Sequence, residues 1–203
     1  MPQLKKLVPY IVCSIITLVF LGLNIAFYSM NVILIIQTIL SLSIGFVFYV
    51  FEIYSKISFP YYLHIIICLQ IFLSNALGSI LGFYNRFSYW DTFVHATFGF
   101  VASAIFYGLI IYCKVMNKWI IFFFSSLMSI GTASLWEIFE FCADTLLGID
   151  TQQVIVSQLK GVSPIKDTIT DISVSLLGVI CFFIYKFFEK LFAKSSRDNR
   201  DNL

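Results

Sequence analysis

From Leu7 to Phe51 the chain carries no charged residue. A membrane-spanning helix needs about 20 mostly apolar residues, so this run is too long for one crossing. The polar break Tyr28-Ser29-Met30-Asn31 divides it into two. Within a bilayer the backbone must satisfy its own hydrogen bonds, which makes each half a helix. Composition extends the reading to the whole chain. It is 60% hydrophobic and 12% charged, where soluble domains run about 45–50% and about 25%.

Continuing along the sequence, the pattern predicts an all-α, polytopic integral membrane bundle of about six helices. They lie near 8–27, 32–53, 60–83, 91–112, 118–145 and 167–188. Residues 1–189 form one transmembrane domain, and 190–203 form a charged cytoplasmic tail. Lys5 and Lys6 before an apolar run resemble a signal peptide. The run is long and lacks a small-x-small cleavage site, so a retained first helix is expected. Pro60 suits a first helical turn, where its missing N–H had no intrahelical partner.

Orientation follows from lysine and arginine placement. With both termini cytoplasmic, the inner segments hold Lys5, Lys6, Lys56, Lys114, Lys118, Lys186, Lys190, Lys194, Arg197 and Arg200. The outer segments hold Arg86, Lys160 and Lys166. The expected location is the cell membrane, with the lipid bilayer as the first partner. A net charge of +2 without a basic, aromatic-interleaved stripe gives no reason to expect nucleic acid. The five cysteines are scattered through apolar runs, which suits packing rather than disulfides or zinc.

The acids stand out against this background. Ser134 to Asp144 ends the fifth helix with Glu137, Glu140 and Asp144, at offsets that share one helix face. The stripe runs roughly 10 Å along the axis. The fourth helix opens with Asp91 and His95, four apart, and the sixth with Asp167 and Asp171, also four apart. The expected topology brings all three stretches to the outer face. Ionisable residues at that depth are costly and usually face a bundle interior or a water-filled cavity. Asp91 and Asp167 also suit helix caps. His64 has no acidic neighbour in sequence and reads as structural. Asn75 is placed to hydrogen-bond across the bundle, and small residues such as Gly99, Ser103, Gly131 and Ala133 allow close helix approach.

Asp91-x-x-x-His95-x-x-x-Gly99, then Trp136-Glu137-x-x-Glu140-x-x-x-Asp144, then Gly161, Asp167-Thr168-x-x-Asp171 and Gly178 resemble the bacterial and archaeal inner-membrane proteins typified by YjdF. The similarity covers about the last two thirds of the chain. It implies a multi-helix integral membrane protein and brings no particular activity with it.

Three functions compete. The first is a metal-dependent membrane enzyme acting on a lipid or polyprenyl phosphate. Carboxylate oxygen suits hard divalent cations, and such an ion could hold a phosphate and activate water. Glu137, Glu140 and His95 are the candidate catalytic groups. Asp91, His95, Glu137, Glu140, Asp144, Asp167 and Asp171 are the candidate metal ligands. A divalent ion is the expected cofactor, and a phosphate-bearing lipid the expected substrate class. The second is a cation- or proton-coupled transporter. Against it, no inverted repeat is visible, and the cytoplasmic half shows no polar residues to continue a path. The third is a non-catalytic accessory protein whose acids hold helices together.

Overall fold

The computed structural model describes residues 2–148, 151, 152, 158, 161 and 163–201. Most of the 148–166 connection, with Lys160, lies outside the described residues, as do the side chains of the tail beyond Ala193. All described regular structure is helical. The elements are α1 (Pro2–Tyr28), α2 (Val32–Ser55), α3 (Tyr61–Ile71) running into a π-helical stretch (Phe72–Ile80), α4 (Phe83–Arg86), α5 (Trp90–Tyr112), α6 (Lys118–Leu147) and α7 (Pro164–Asp201). Among the described residues, six helices are long and apolar enough to cross a membrane. Large apolar side chains stay exposed along them, among them Val47 at 66%, Leu127 at 66% and Leu177 at 57%. In a bilayer these face lipid.

The helix ends follow local chemistry. Asn31 caps α2 by accepting from the Leu34 N–H at 3.2 Å, and Asn117 caps α6 by accepting from Trp119 and Ile120. Ser163, rather than Asp167, caps α7, its hydroxyl accepting from the Lys166 N–H at 3.3 Å. Asp91 and Asp167 lie inside the first turns of α5 and α7. There they suit the positive end of each helix dipole without acting as the N-cap.

The chain forms two compact units, Met1–Thr97 and Phe98–Leu203. In the first, α1, α2, α3 and the π-helical stretch pack together. The inward face of α1 carries Lys6, Tyr10, Cys13, Thr17 and Leu21, all buried. Their spacing of three and four residues makes one helix stripe, and four of the five are polar or titratable. Lys6, expected as a flanking charge, is inside α1 and buried. Asn75 is buried in the π-helical stretch, but its Oδ1 accepts no hydrogen bond among the described residues. Asn24 ties α1 to that stretch instead, donating to the Ile80 carbonyl at 2.8 Å. Two residues past the stretch, Gly82 precedes α4 with a φ of 71°, which is left-handed and favours glycine.

In the second unit, α6 and α7 pack together. Ser103 of α5 meets Ser129 of α6 with their hydroxyls 3.1 Å apart. Gly99 of α5 lies against the backbone of α7. A Cβ there would stand 2.0 Å from the Ser175 carbonyl oxygen. The small residues thus bring α5 against both α6 and α7, whereas Gly131 faces open space.

Candidate functional site

The register of α6 and α7 fixes which acids share a level. Phe122 of α6 meets Phe183 of α7 with ring centroids 4.7 Å apart. Fifteen residues further along α6 is Glu137, and fifteen residues back along α7 is Thr168. The side chain of Gln152 joins these two positions, with Nε2 3.5 Å from both the Glu137 carbonyl and the Thr168 hydroxyl. Asp171 is one helical turn from Thr168, about 4.5 Å along the axis. Glu137 is 4% exposed and Asp171 6%, so two carboxylates are buried on paired helices near one level. Few ionisable groups are held at such depth without a use.

The other acids take distinct places. Glu140 is half-buried and accepts from the Trp136 indole N–H at 2.9 Å. Asp144 closes the end of α6. Its Oδ1 accepts from the Thr151 N–H at 2.6 Å and from the Thr151 hydroxyl, and its Oδ2 accepts from the Gln152 N–H at 3.0 Å. Asp144 therefore holds the turn that brings Gln152 over Glu137. Asp144→Ala is expected to speed amide exchange at Thr151 and Gln152 by at least about tenfold, since each N–H loses a charged acceptor. Hydrogen exchange read by mass spectrometry checks this, and unchanged exchange contradicts it. Asp167 is half-buried in the first turn of α7.

In the first unit, Asp91 and His95 lie four residues apart on α5, as the spacing predicts. His95 Nε2 is 3.5 Å from Asp91 Oδ1. His95 is buried, with Asp91 about one third exposed. Gln70 of α3 donates to the Val94 carbonyl at 3.1 Å, tying α3 to the turn that carries His95.

Sequence reasoning missed a second polar cluster in this unit. Glu52 of α2 is fully buried, with a basic side chain against each oxygen. Its Oε1 accepts from Lys6 Nζ of α1, and its Oε2 lies 2.8 Å from His64 Nε2 of α3. Lys6 also donates to the Ser58 hydroxyl at 3.1 Å and to the Phe59 carbonyl at 2.5 Å. The Tyr10 hydroxyl sits 2.9 Å from His64 Nδ1. The reading of His64 as lacking an acidic neighbour held along the sequence only. A signal was present: a glutamate near the end of one span and a histidine in the first turns of the next lie at similar depth.

Six apolar helices with buried acids define a multi-pass membrane protein. The chain belongs to the family described as "Predicted membrane protein (DUF2238)", whose model matches residues 8–190. It is also similar to an uncharacterised protein of Thermotoga maritima, 28% identical over 148 residues, covering 70% of this chain and 69% of that one. No solved structure matches the chain.

Proposed function

We propose that the protein binds a divalent cation through the buried carboxylates of α6 and α7 and uses it on a lipid or polyprenyl phosphate. The observation that carries this reading is the placing of Glu137 and Asp171, both buried, near one level on packed helices beneath Gln152. Carboxylate oxygens are the donors that hard divalent ions take. Glu140 is a further ligand or acid/base group within reach of the same helix face. Asp144, whose oxygens both accept from the following turn, holds that turn in place. Asp167, half-buried in the first turn of α7, is a further candidate ligand. Bound there, a divalent ion supplies phosphate binding and activation of water.

The metal content of detergent-purified, full-length protein tests this. Wild type is expected to hold about one divalent ion per chain and to gain thermal stability on adding the ion. At a hundredfold excess over the dissociation constant, linkage amounts to about 2.7 kcal/mol. Glu137→Gln is expected to lose both the ion and the stabilisation. A wild-type protein with no ion and no thermal response contradicts the metal reading.

One observation favours a second reading, a proton- or cation-coupled transporter. Lys6, Glu52 and His64 put titratable groups in the half of the membrane that the sequence left bare. Coupled uptake in proteoliposomes, abolished together by Glu137→Gln and by His64→Gln, is the outcome that would support it over the enzyme.

A further inference from the structure

The buried cluster of α1, α2 and α3 has one carboxylate between two bases. Lys6 Nζ uses three donors, on Glu52 Oε1, the Ser58 hydroxyl and the Phe59 carbonyl. That full complement suits a charged ammonium. With Glu52 ionised, the pair is neutral. Glu52 Oε2 and His64 Nε2 then face each other at 2.8 Å, both fully buried, at ion-pair distance but outside hydrogen-bond alignment. Two bare lone pairs at that distance repel, so one of the two atoms carries a proton. The Nε2–H tautomer supplies it, and Nδ1 then accepts from the Tyr10 hydroxyl. The four side chains form one chain, Lys6–Glu52–His64–Tyr10, with Lys6 the member whose side chain reaches the surface, at 11%.

We propose that Glu52 and His64 form a proton-binding site. In the empty state His64 is neutral and the cluster carries no net charge. Hydronium delivers one proton to Nδ1 and leaves as water. His64 then becomes an imidazolium, and the net charge rises by one. The Tyr10 hydroxyl, no longer able to donate to Nδ1, turns and accepts from it. Glu52 makes the second charge tolerable, because one carboxylate then serves both Lys6 and His64. The titratable groups meeting His64 are Glu52 from α2 and Tyr10 from α1, with Lys6 meeting Glu52 from the other side. Cys13 and Cys68 lie about a turn further in, Cys13 donating to the Cys68 carbonyl at 3.4 Å. Tyr49 touches the Tyr10 ring from α2, at 5.9 Å between centroids. Phe48 and Phe59 close the remaining space with apolar rings. The site uses none of the carboxylates proposed for the cation, so either can fail without the other.

The chain has two histidines, which makes the test direct. Full-length protein with 15N-labelled histidine and His95→Gln shows one imidazole by NMR. Should that variant not fold, wild type shows two imidazoles, and His64→Gln identifies which of them is His64. The expected result is an Nε2–H tautomer at high pH and a doubly protonated ring at low pH, the two exchanging within the range over which the protein stays folded. Tyr10→Phe keeps the ring packing and is expected to shift the Nδ1 signal. Lys6→Met combined with Glu52→Gln removes both charges together, and is expected to abolish the exchange over that range. A folded protein whose His64 stays in one protonation state throughout overturns the proposal. So does an exchange unchanged in the double variant.

Discussion

Glu52→Gln is expected to destabilise the protein more than any other single change in the first three helices. The carboxylate is fully buried between Lys6 and His64. Removing its charge leaves the Lys6 ammonium buried against neutral acceptors. Breaking one partner of a buried ion pair typically costs about 3–5 kcal/mol. Lys6→Met alone orphans the carboxylate and should cost a similar amount. The double variant removes both charges and their desolvation together, so it should recover most of the loss. Thermal unfolding of the four proteins in one detergent forms a double-mutant cycle that isolates the pair. Additive losses would mean the two charges do not depend on each other, and the ion pair would then be incidental.

The second large effect is expected at Gly99. Its missing side chain lets α5 touch the backbone of α7, where a Cβ would meet the Ser175 carbonyl oxygen at 2.0 Å and its carbonyl carbon at 2.8 Å. Backbone atoms cannot step aside as a flexible side chain does. The helices must separate instead, which opens the packing at Phe100, Tyr107 and Phe182 further along the same interface. Overpacking typically costs about 1–3 kcal/mol, occasionally more. Gly99→Ala belongs at the upper end of that range, and Gly99→Leu beyond it. Gly131→Ala is the control, since its Cβ would meet nothing within 4 Å, and alanine is the better helix former by about 1 kcal/mol. Equal melting temperatures for Gly99→Ala and Gly131→Ala would contradict the close crossing.

Much of the architecture was legible along the chain. Uncharged runs, a polar break at Tyr28–Asn31 and charges at the far ends of later runs are local signals, and each span satisfies its backbone internally. The pairing of Asp91 with His95 was legible too, because four residues make one helical turn. The positions of the acids on α6 follow from the same period. Which of those acids is buried did not follow. Glu137 and Glu140 are three apart and share a face, yet one is buried and the other half-buried against Trp136. Asp144 could be placed at the helix end, but its part in holding Thr151 and Gln152 depends on how the chain folds back after Gly148.

The sequence by itself determined that this chain crosses a membrane six times on helices and that its acids gather at helix ends. Hydrophobic run length and helical period are properties of consecutive residues, so no neighbour is needed to read them. Only the tertiary structure decided what Lys6, Glu52 and His64 do. A charge at the end of an apolar run looks the same in sequence whether it reaches out to water or turns inward to a partner. Packing chooses between them, by bringing three helices into a register where Lys6 and Glu52, 46 residues apart, share one buried contact and His64 completes it.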